Sequence, residues 1–337
     1  MKKGVLITAL SVVTVLIAAT ACYATVRDRN NVAETAGQAT NAQIDTAVRT
    51  DIEVRKAIEK KSEGKYSLKD ITNVLLIGVD NDNAEGMNKL GNADGIMLVS
   101  INSITKQVTL TSFMRDTKIR QPNEYEKKIT AVYHAGGAKL LIEAMEQNFG
   151  VHIDNYILVN YFNVMEIVDA LGGFDTELSA DEIRFMASKI ESIEKLVGRS
   201  KGENALSVEQ AGMNHLNGLQ TAAYLRIRPE STGYDTGRTE RARSVVTMIL
   251  EKVKKMSTND KTAFADAFVS EVETDMNDAD ILAFSMSAAV FMDFDLYSAK
   301  IPLDGTYKDS NDGNSFILPD FEINNQYLYE SIYEGKH

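Results

Sequence analysis

Five arginines, Arg226, Arg228, Arg238, Arg241 and Arg243, fall within the stretch AYLRIRPESTGYDTGRTERAR of a chain whose formal net charge is −12 at pH 7. Guanidinium forks grip phosphate oxygens in fixed geometry, so this is the residue set for an anionic ligand. A solvated charged surface is the plain alternative. The acidic balance argues against a broad basic surface for nucleic acid, so no nucleic-acid partner is expected. An anion must be met by a local cluster. The only cysteine is Cys22, which rules out a disulfide framework and a cysteine-built zinc site. The histidines (His134, His152, His215, His337) form no H-E-x-x-H pair. Any metal would be a hard cation held by carboxylates.

Those charges need elements to position them. NVLLIGV, from Asn73, is an apolar run of strand length that ends at Asp80. GIMLVSIN and QVTLTSF read as two strands joined by SITK. If Asn102 faces Gln107 across that turn, continuing the register sets Asp94 opposite Arg115. If Gly95–Asn102 also runs antiparallel to Asn73–Val79, then Asp80 lies at the same end. Asp80, Asp94, Arg115 and Asp116 are thus predicted to meet at one sheet edge.

LNGLQTAAYLRIR reads as a short helix feeding a strand, on which Arg226 and Arg228 share a face. The next helix, expected to start near Gly237, buries Val245, Ile249 and Val253. Arg238 and Ala242 lie on that same stripe. An arginine on a core stripe at a helix N-terminus favours an anion site over a solvated face. Arg241 and Arg243 are expected to be ordinary surface charges. Between these segments, AKLLIEAMEQNFG reads as a helix stopped by Gly150, NYILVNYF as a strand and VMEIVDALGG as a helix closed by glycines. Residues 181–205 read as a charged helical insertion with a loop.

The N-terminus carries Lys2 and Lys3 and then no charge from Gly4 to Val26. About 20 apolar residues span a bilayer as a helix. Two readings fit: an uncleaved signal anchor over 4–26, which we favour, and a lipoprotein cleaved before Cys22. Residues 27–70 read as a partly helical stalk, with Ile44, Val48 and Ile52 as a sparse stripe. Residues 71–335 form the remaining domain.

The segments NVLLIGVD, DGIMLVSINSITKQVTLTSFMRDT, KITAVYHAGG, VDALGGF, HLNGLQTAAYLRIR and DTGRTERAR, in this order, resemble the LytR-CpsA-Psr family of bacterial cell-wall proteins. The resemblance covers about Asn73 to Lys255. It implies an α/β/α sandwich with a central mixed sheet and a pocket for a polyprenyl lipid. It implies transfer of a glycopolymer, such as teichoic acid or capsule, from a polyprenyl-pyrophosphate carrier to peptidoglycan, assisted by Mg²⁺. It also implies a single-pass membrane protein with the bulk of the chain outside the cytoplasm. Carried over, Asp80 and Asp94 match the metal-binding aspartates, and Arg115, Arg226, Arg228 and Arg238 match the pyrophosphate-binding arginines. Asp116 either orients Arg115 or helps deprotonate the sugar hydroxyl, with a structural ion pair as the alternative. Four positions depart from the family pattern. Asn92 replaces an arginine before the second aspartate, Ala242 a glutamine, Thr130 an asparagine and Met114 a proline. The first two favour a rival reading, a non-catalytic binder of pyrophosphate lipids. A regulatory role ranks last, since no helix-turn-helix with a basic recognition helix is evident.

Overall fold

The computed structural model describes residues 53–60, 70–80, 91–228, 235–257, 273–276, 291, 294–310 and 315–337. In chain order the strands are β1 (Ile71–Asp80), β2 (Asn92–Asn102), β3 (Gln107–Phe113), β4 (Lys118–Arg120), β5 (Glu126–Lys128), β6 (Asn155–Asn160), β7 (Phe174–Leu178), β8 (Gly212–Leu216), β9 (Glu273–Thr274), β10 (Asp295–Ile301), β11 (Tyr307–Asp309) and β12 (Ile317–Pro319). The helices are α1 (Ile129–Phe149), α2 (Tyr161–Ala170), α3 (Ala180–Leu196), α4 (Gly218–Arg226), α5 (Asp235–Lys255) and α6 (Phe321–Tyr333). A short helix also covers 53–60.

The central sheet has the order β10-β3-β2-β1-β6-β9. It is mixed: β1–β2, β2–β3 and β6–β9 are antiparallel, while β1–β6 and β3–β10 are parallel. Strand alternation divides the core in two. Val74, Val99, Ile101, Val108 and Leu110 pack with Met165 of α2, Ile183 of α3, Leu219 of α4 and Val245 of α5. Leu75, Ile77, Leu98 and Phe113 pack the other way, against Leu141 and Phe149 of α1 and Leu328 and Tyr333 of α6. Ile58 of the 53–60 helix is buried in this second layer. A sheet covered on both faces needs side chains that are apolar on both, which is why NVLLIGV shows no alternation. Each large aliphatic side chain so buried contributes about 1.5–3 kcal/mol.

Several elements differ from the sequence expectation. The strand NYILVNYF stops at Asn160, because Asn160 and Asn163 cap each other's backbone N–H and start α2 at Tyr161. The helix before Gly150 begins at Ile129, with a break at Gly136 and Gly137, the latter at φ 68°. The helix and loop expected over 181–205 are present, and α3 packs into the core through Ile183, Met186, Ile190 and Ile193. Glu182 and Glu194 are buried along with them, while Asp181, Arg184, Glu191 and Lys195 are exposed.

No strand carries Arg226 and Arg228. A capping box at Asn217 starts α4, which runs on until Arg226 itself, and only Ile227 turns extended. Helix α5 spans Asp235–Lys255, in line with the start expected near Gly237. The expected membrane span over 4–26 and the Ile44–Val48–Ile52 stripe lie outside the described residues. Among the described residues, no helix is long and apolar enough to cross a membrane.

Candidate active site

The β2–β3 hairpin pairs Asn102 with Gln107 and continues to Met97 opposite Ser112. Carried past the last ladder pair, this register brings Asp94 beside Arg115, whose Nη1 lies 2.6 Å from Asp94 Oδ1. The neighbouring ladder is irregular at this point. Gly78 opposes Gly95 but Val79 opposes Ala93, so Asp94 is the extra residue of a β-bulge. The bulge takes Asp94 out of strict alternation and sets its carboxylate at the end of the sheet, where both helical layers meet.

The Asp94 side chain is 7 % exposed and surrounded by donors. Arg238, near the start of α5, donates through Nη1 to Oδ2 at 2.8 Å and through Nη2 to the Asp94 carbonyl at 3.1 Å. Thr130, at the start of α1, donates its hydroxyl to Oδ1 at 3.3 Å. Arg228 Nη2 stands 3.7 Å from Oδ2. One carboxylate thus balances three guanidinium groups, and both of its oxygens already accept from donors. Thr130, where the family pattern has asparagine, still supplies a polar contact to Asp94.

The remaining site candidates fall nearby. Arg226, at the C-terminal end of α4, holds its guanidinium 5.1 Å from the Tyr161 ring centroid, a cation–π arrangement. Asp116 lies 2.8 Å from Lys128 Nζ and 3.8 Å from Arg115 Nε, a geometry that fits an ion pair steadying Arg115. Asp80 ends β1 opposite Asn92, on the strand adjacent to Asp94, and Asn92 is exposed at that edge. Among the described residues, no group of three His, Cys, Asp or Glu side chains is placed to hold a metal ion.

One expectation about the arginines is overturned. Arg241 is a buried residue, 3 % exposed, and not a surface charge. It donates to the Ile227 carbonyl, stands 3.7 Å from Glu182 of α3 and lies 5.6 Å from the Tyr224 ring centroid. Burial lowers its pKa from the ordinary arginine value, with Tyr224 and Glu182 acting in the opposite sense. The neighbouring Tyr224 hydroxyl has its pKa raised, chiefly by burial. Arg241 therefore ties α3, α4 and α5 together behind the Arg226–Ile227–Arg228 segment. Nothing local in the sequence distinguishes it from Arg243, which is half-exposed.

Two cavities meet at Asp94, Tyr161 and Arg238, which line both. The first is apolar and lies between the sheet and α5. Leu76, Met97, Ile157 and Val164 line it, with Val245, Val246 and Ile249 from α5. The facing pair Gly78 and Gly95 contributes bare backbone on the cavity side of the sheet, which leaves room there. Ala242 lies in this apolar wall, one turn beyond Arg238, which lines the same cavity. The second cavity, of about 390 Å³, is polar. Arg226, Arg228 and Arg238 line it together with Phe185, Ser188 and Lys189 of α3. Sequence reasoning missed Tyr161 and the α3 side chains. The Asn160-x-x-Asn163 capping pair was the one local signal that Tyr161 opens a helix.

A sequence profile of the LytR_cpsA_psr family matches residues 32–329. Biofilm regulatory protein A of Streptococcus mutans is 32% identical over 194 residues, covering 53% of this chain and 43% of that protein. The teichoic acid transferase TagU of Enterococcus faecalis is 28% identical over 224 residues, covering 65% of this chain and 66% of its own length. The chain thus spans less than two thirds of the length of either relative. A solved structure of the family protein YwtF (TagT) with bound octaprenyl pyrophosphate lipid aligns with a TM-score of 0.56 at 19% identity, over 79% of this chain and 90% of that one. At that identity the likeness concerns the fold.

Proposed function

This chain belongs to the LytR-CpsA-Psr family, and from that premise we propose that it moves a glycopolymer from a polyprenyl-pyrophosphate carrier onto a peptidoglycan hydroxyl. One observation carries the reading: an apolar cavity opens into an arginine-lined mouth, and the two share Asp94, Tyr161 and Arg238. A polyprenyl pyrophosphate has this same division, a long apolar chain joined to a compact polyanion. Isoprenoid packs against Val245, Val246 and Ile249, and the pyrophosphate lies among Arg115, Arg226, Arg228 and Arg238.

The chemistry follows from the charges. A hydroxyl oxygen attacks the phosphorus that bears the sugar, and the bond from that phosphorus to the bridging oxygen breaks. The sugar-1-phosphate becomes a phosphodiester on the acceptor, and polyprenyl phosphate leaves with the bridging oxygen. The hydroxyl proton is lost to solvent or to a base. Attack on a polyanion is slow until its charge is neutralised, and preorganised guanidinium groups do that without reorganising. Asp116, gripped by Lys128, acts as a positioning residue for Arg115. Arg241 does the same for Arg228 through the Ile227 carbonyl.

Mg²⁺ fits the donor chemistry in one state. Asp80 and Asp94, at adjacent strand ends, are hard oxygen donors of the right type. Both Asp94 oxygens are bonded to protein donors here, so the fit requires an anion that draws the arginines away. When bound, Mg²⁺ would help neutralise the departing phosphate. Anchorage in the membrane by residues 4–26, with the domain outside, belongs to the same proposal because the carrier lipid resides there.

The binder reading rests on Ala242, which leaves no polar side chain at that point of the wall. Single-turnover transfer from a polyprenyl-pyrophosphate glycan to a peptidoglycan oligomer separates the two readings. A phosphodiester-linked product supports transfer. Tight lipid binding with no product leaves a binder.

A further inference from the structure

Part of the polar mouth is lined by α3. Phe185, Ser188 and Lys189 lie at i, i+3 and i+4 on α3, so they form one face, and all three line the mouth together with Arg226 and Arg228. Phe185 is a large aromatic left 47% exposed at that rim. Lys189 is half-buried there, yet no ion pair to it exists among the described residues. Three other cations on or near α3 have carboxylate partners. Arg184 pairs with Asp181, Lys201 with Glu191 and Arg241 with Glu182. Among the described residues, Lys189 lines a cavity with Arg226, Arg228 and Arg238, and Asp94 is the one carboxylate in that lining. An ammonium placed among guanidinium groups is repelled unless an anion arrives. Phe185 adds a flat apolar face of the kind that stacks on the C–H face of a sugar ring.

From this arrangement we infer that the Phe185–Ser188–Lys189 face of α3 is a glycan subsite, distinct from the pyrophosphate cradle, that selects carriers whose first saccharides bear an anionic substituent. The inference rests on the transferase reading and adds substrate selection to it. Phe185 stacks on the sugar, the Ser188 hydroxyl hydrogen-bonds a ring substituent, and Lys189 meets a phosphate or carboxylate carried by the glycan. Lysine suits this place better than a further arginine fork, because a flexible point charge tolerates variable anion positions.

Binding of three octaprenyl-pyrophosphate probes to the full chain in detergent tests it: the bare lipid, a neutral disaccharide form, and that disaccharide extended by one glycerol phosphate. Lys189→Ala is expected to weaken the glycerol phosphate probe about fivefold, as for a partly exposed charge contact, and to leave the other two unchanged. Lys189→Arg should retain most of the affinity. Phe185→Ala should weaken both saccharide probes and spare the bare lipid. Phe185 is exposed and Lys189 is half-buried, neither in the core, so melting temperature should not move. Equal losses for all three probes from Lys189→Ala would make Lys189 part of the pyrophosphate cradle and overturn the subsite, as would no loss at all. A natural protein that does not take even the bare lipid would sink the transferase reading and the subsite with it. One that takes the lipid but ignores Lys189→Ala overturns the subsite alone.

Discussion

Replacing Asp94 by asparagine should lower stability and at the same time tighten anion binding. Its carboxylate accepts from Arg115 at 2.6 Å and from Arg238 at 2.8 Å, with the Asp94 and Arg238 side chains each 7 % exposed. It occupies the place among the guanidinium groups that a phosphate would take. Asparagine keeps the shape but removes the charge, leaving Arg238 buried beside a neutral amide. Unpairing a buried ion costs about 3 kcal/mol or somewhat more. For a domain of this size that is a drop in melting temperature of roughly 5–10 °C.

The same change removes an internal competitor for the arginines. Two unit charges about 4 Å apart interact by ~4 kcal/mol at an effective dielectric of ~20, and solvent at the mouth screens part of that. Metal-free affinity for octaprenyl pyrophosphate should rise about tenfold. Saturating lipid should then restore most of the lost stability, since a ligand at a hundred times its Kd adds ~2.7 kcal/mol. Mg²⁺ should strengthen binding to the natural protein and do little for Asp94→Asn. Thermal shift and calorimetric titration, each with and without Mg²⁺, are the assays. An unchanged melting temperature, or weaker metal-free binding by the variant, would refute the idea that Asp94 stands in for the anion.

Three further outcomes are expected. Arg226→Ala should cost ~2–3 kcal/mol in polyprenyl-pyrophosphate binding, against ~0–1 kcal/mol for the half-exposed Arg243→Ala; equal losses in titration would return the cluster to a solvated face. Ala242→Trp should fill the apolar cavity, so that octaprenyl pyrophosphate loses at least tenfold in affinity while inorganic pyrophosphate is unaffected; equal affinities for the long lipid in both proteins would show that the chain lies elsewhere. The last concerns His152, which is buried between Glu146 and Asp154, each 3.1 Å from a ring nitrogen. Burial by itself would lower its pKa, but the hydrogen bonds to Asp154 and Glu146 prevail and push it up to about 9 from 6.5. A raised histidine pKa stabilises the fold fully below about 6.5 and loses that contribution as pH climbs through about 9, on the order of 3 kcal/mol in all. Melting temperature should therefore fall between these values in the natural protein and not in His152→Gln, and parallel curves would refute it.

What the sequence alone could determine was whatever depends on neighbours along the chain. A hairpin's register follows from its turn, so pairing Asn102 with Gln107 was enough to bring Asp94 against Arg115. The apolar run NVLLIGV announced a sheet covered on both faces, and the stripe of Val245 and Ile249 correctly aimed Arg238 inward. Other features were decided only by tertiary packing. The bulge that frees Asp94 from alternation arises between β1 and β2, and a one-residue mismatch between strands leaves no mark in either strand's own pattern. Arg241 and Arg243 differ only in which one finds Glu182 and the Ile227 carbonyl waiting on other elements. Arg226 and Arg228 share a mouth although no strand holds them, because α4 ends where α5 and α2 close around it. Lys189 sits in a helix whose charges look like ordinary solvated residues. Its place in the same cavity as the arginines exists because the buried stripe of Ile183, Met186 and Ile190 packs α3 on α4, and burying apolar area fixes a helix's rotation without regard to where its charges point.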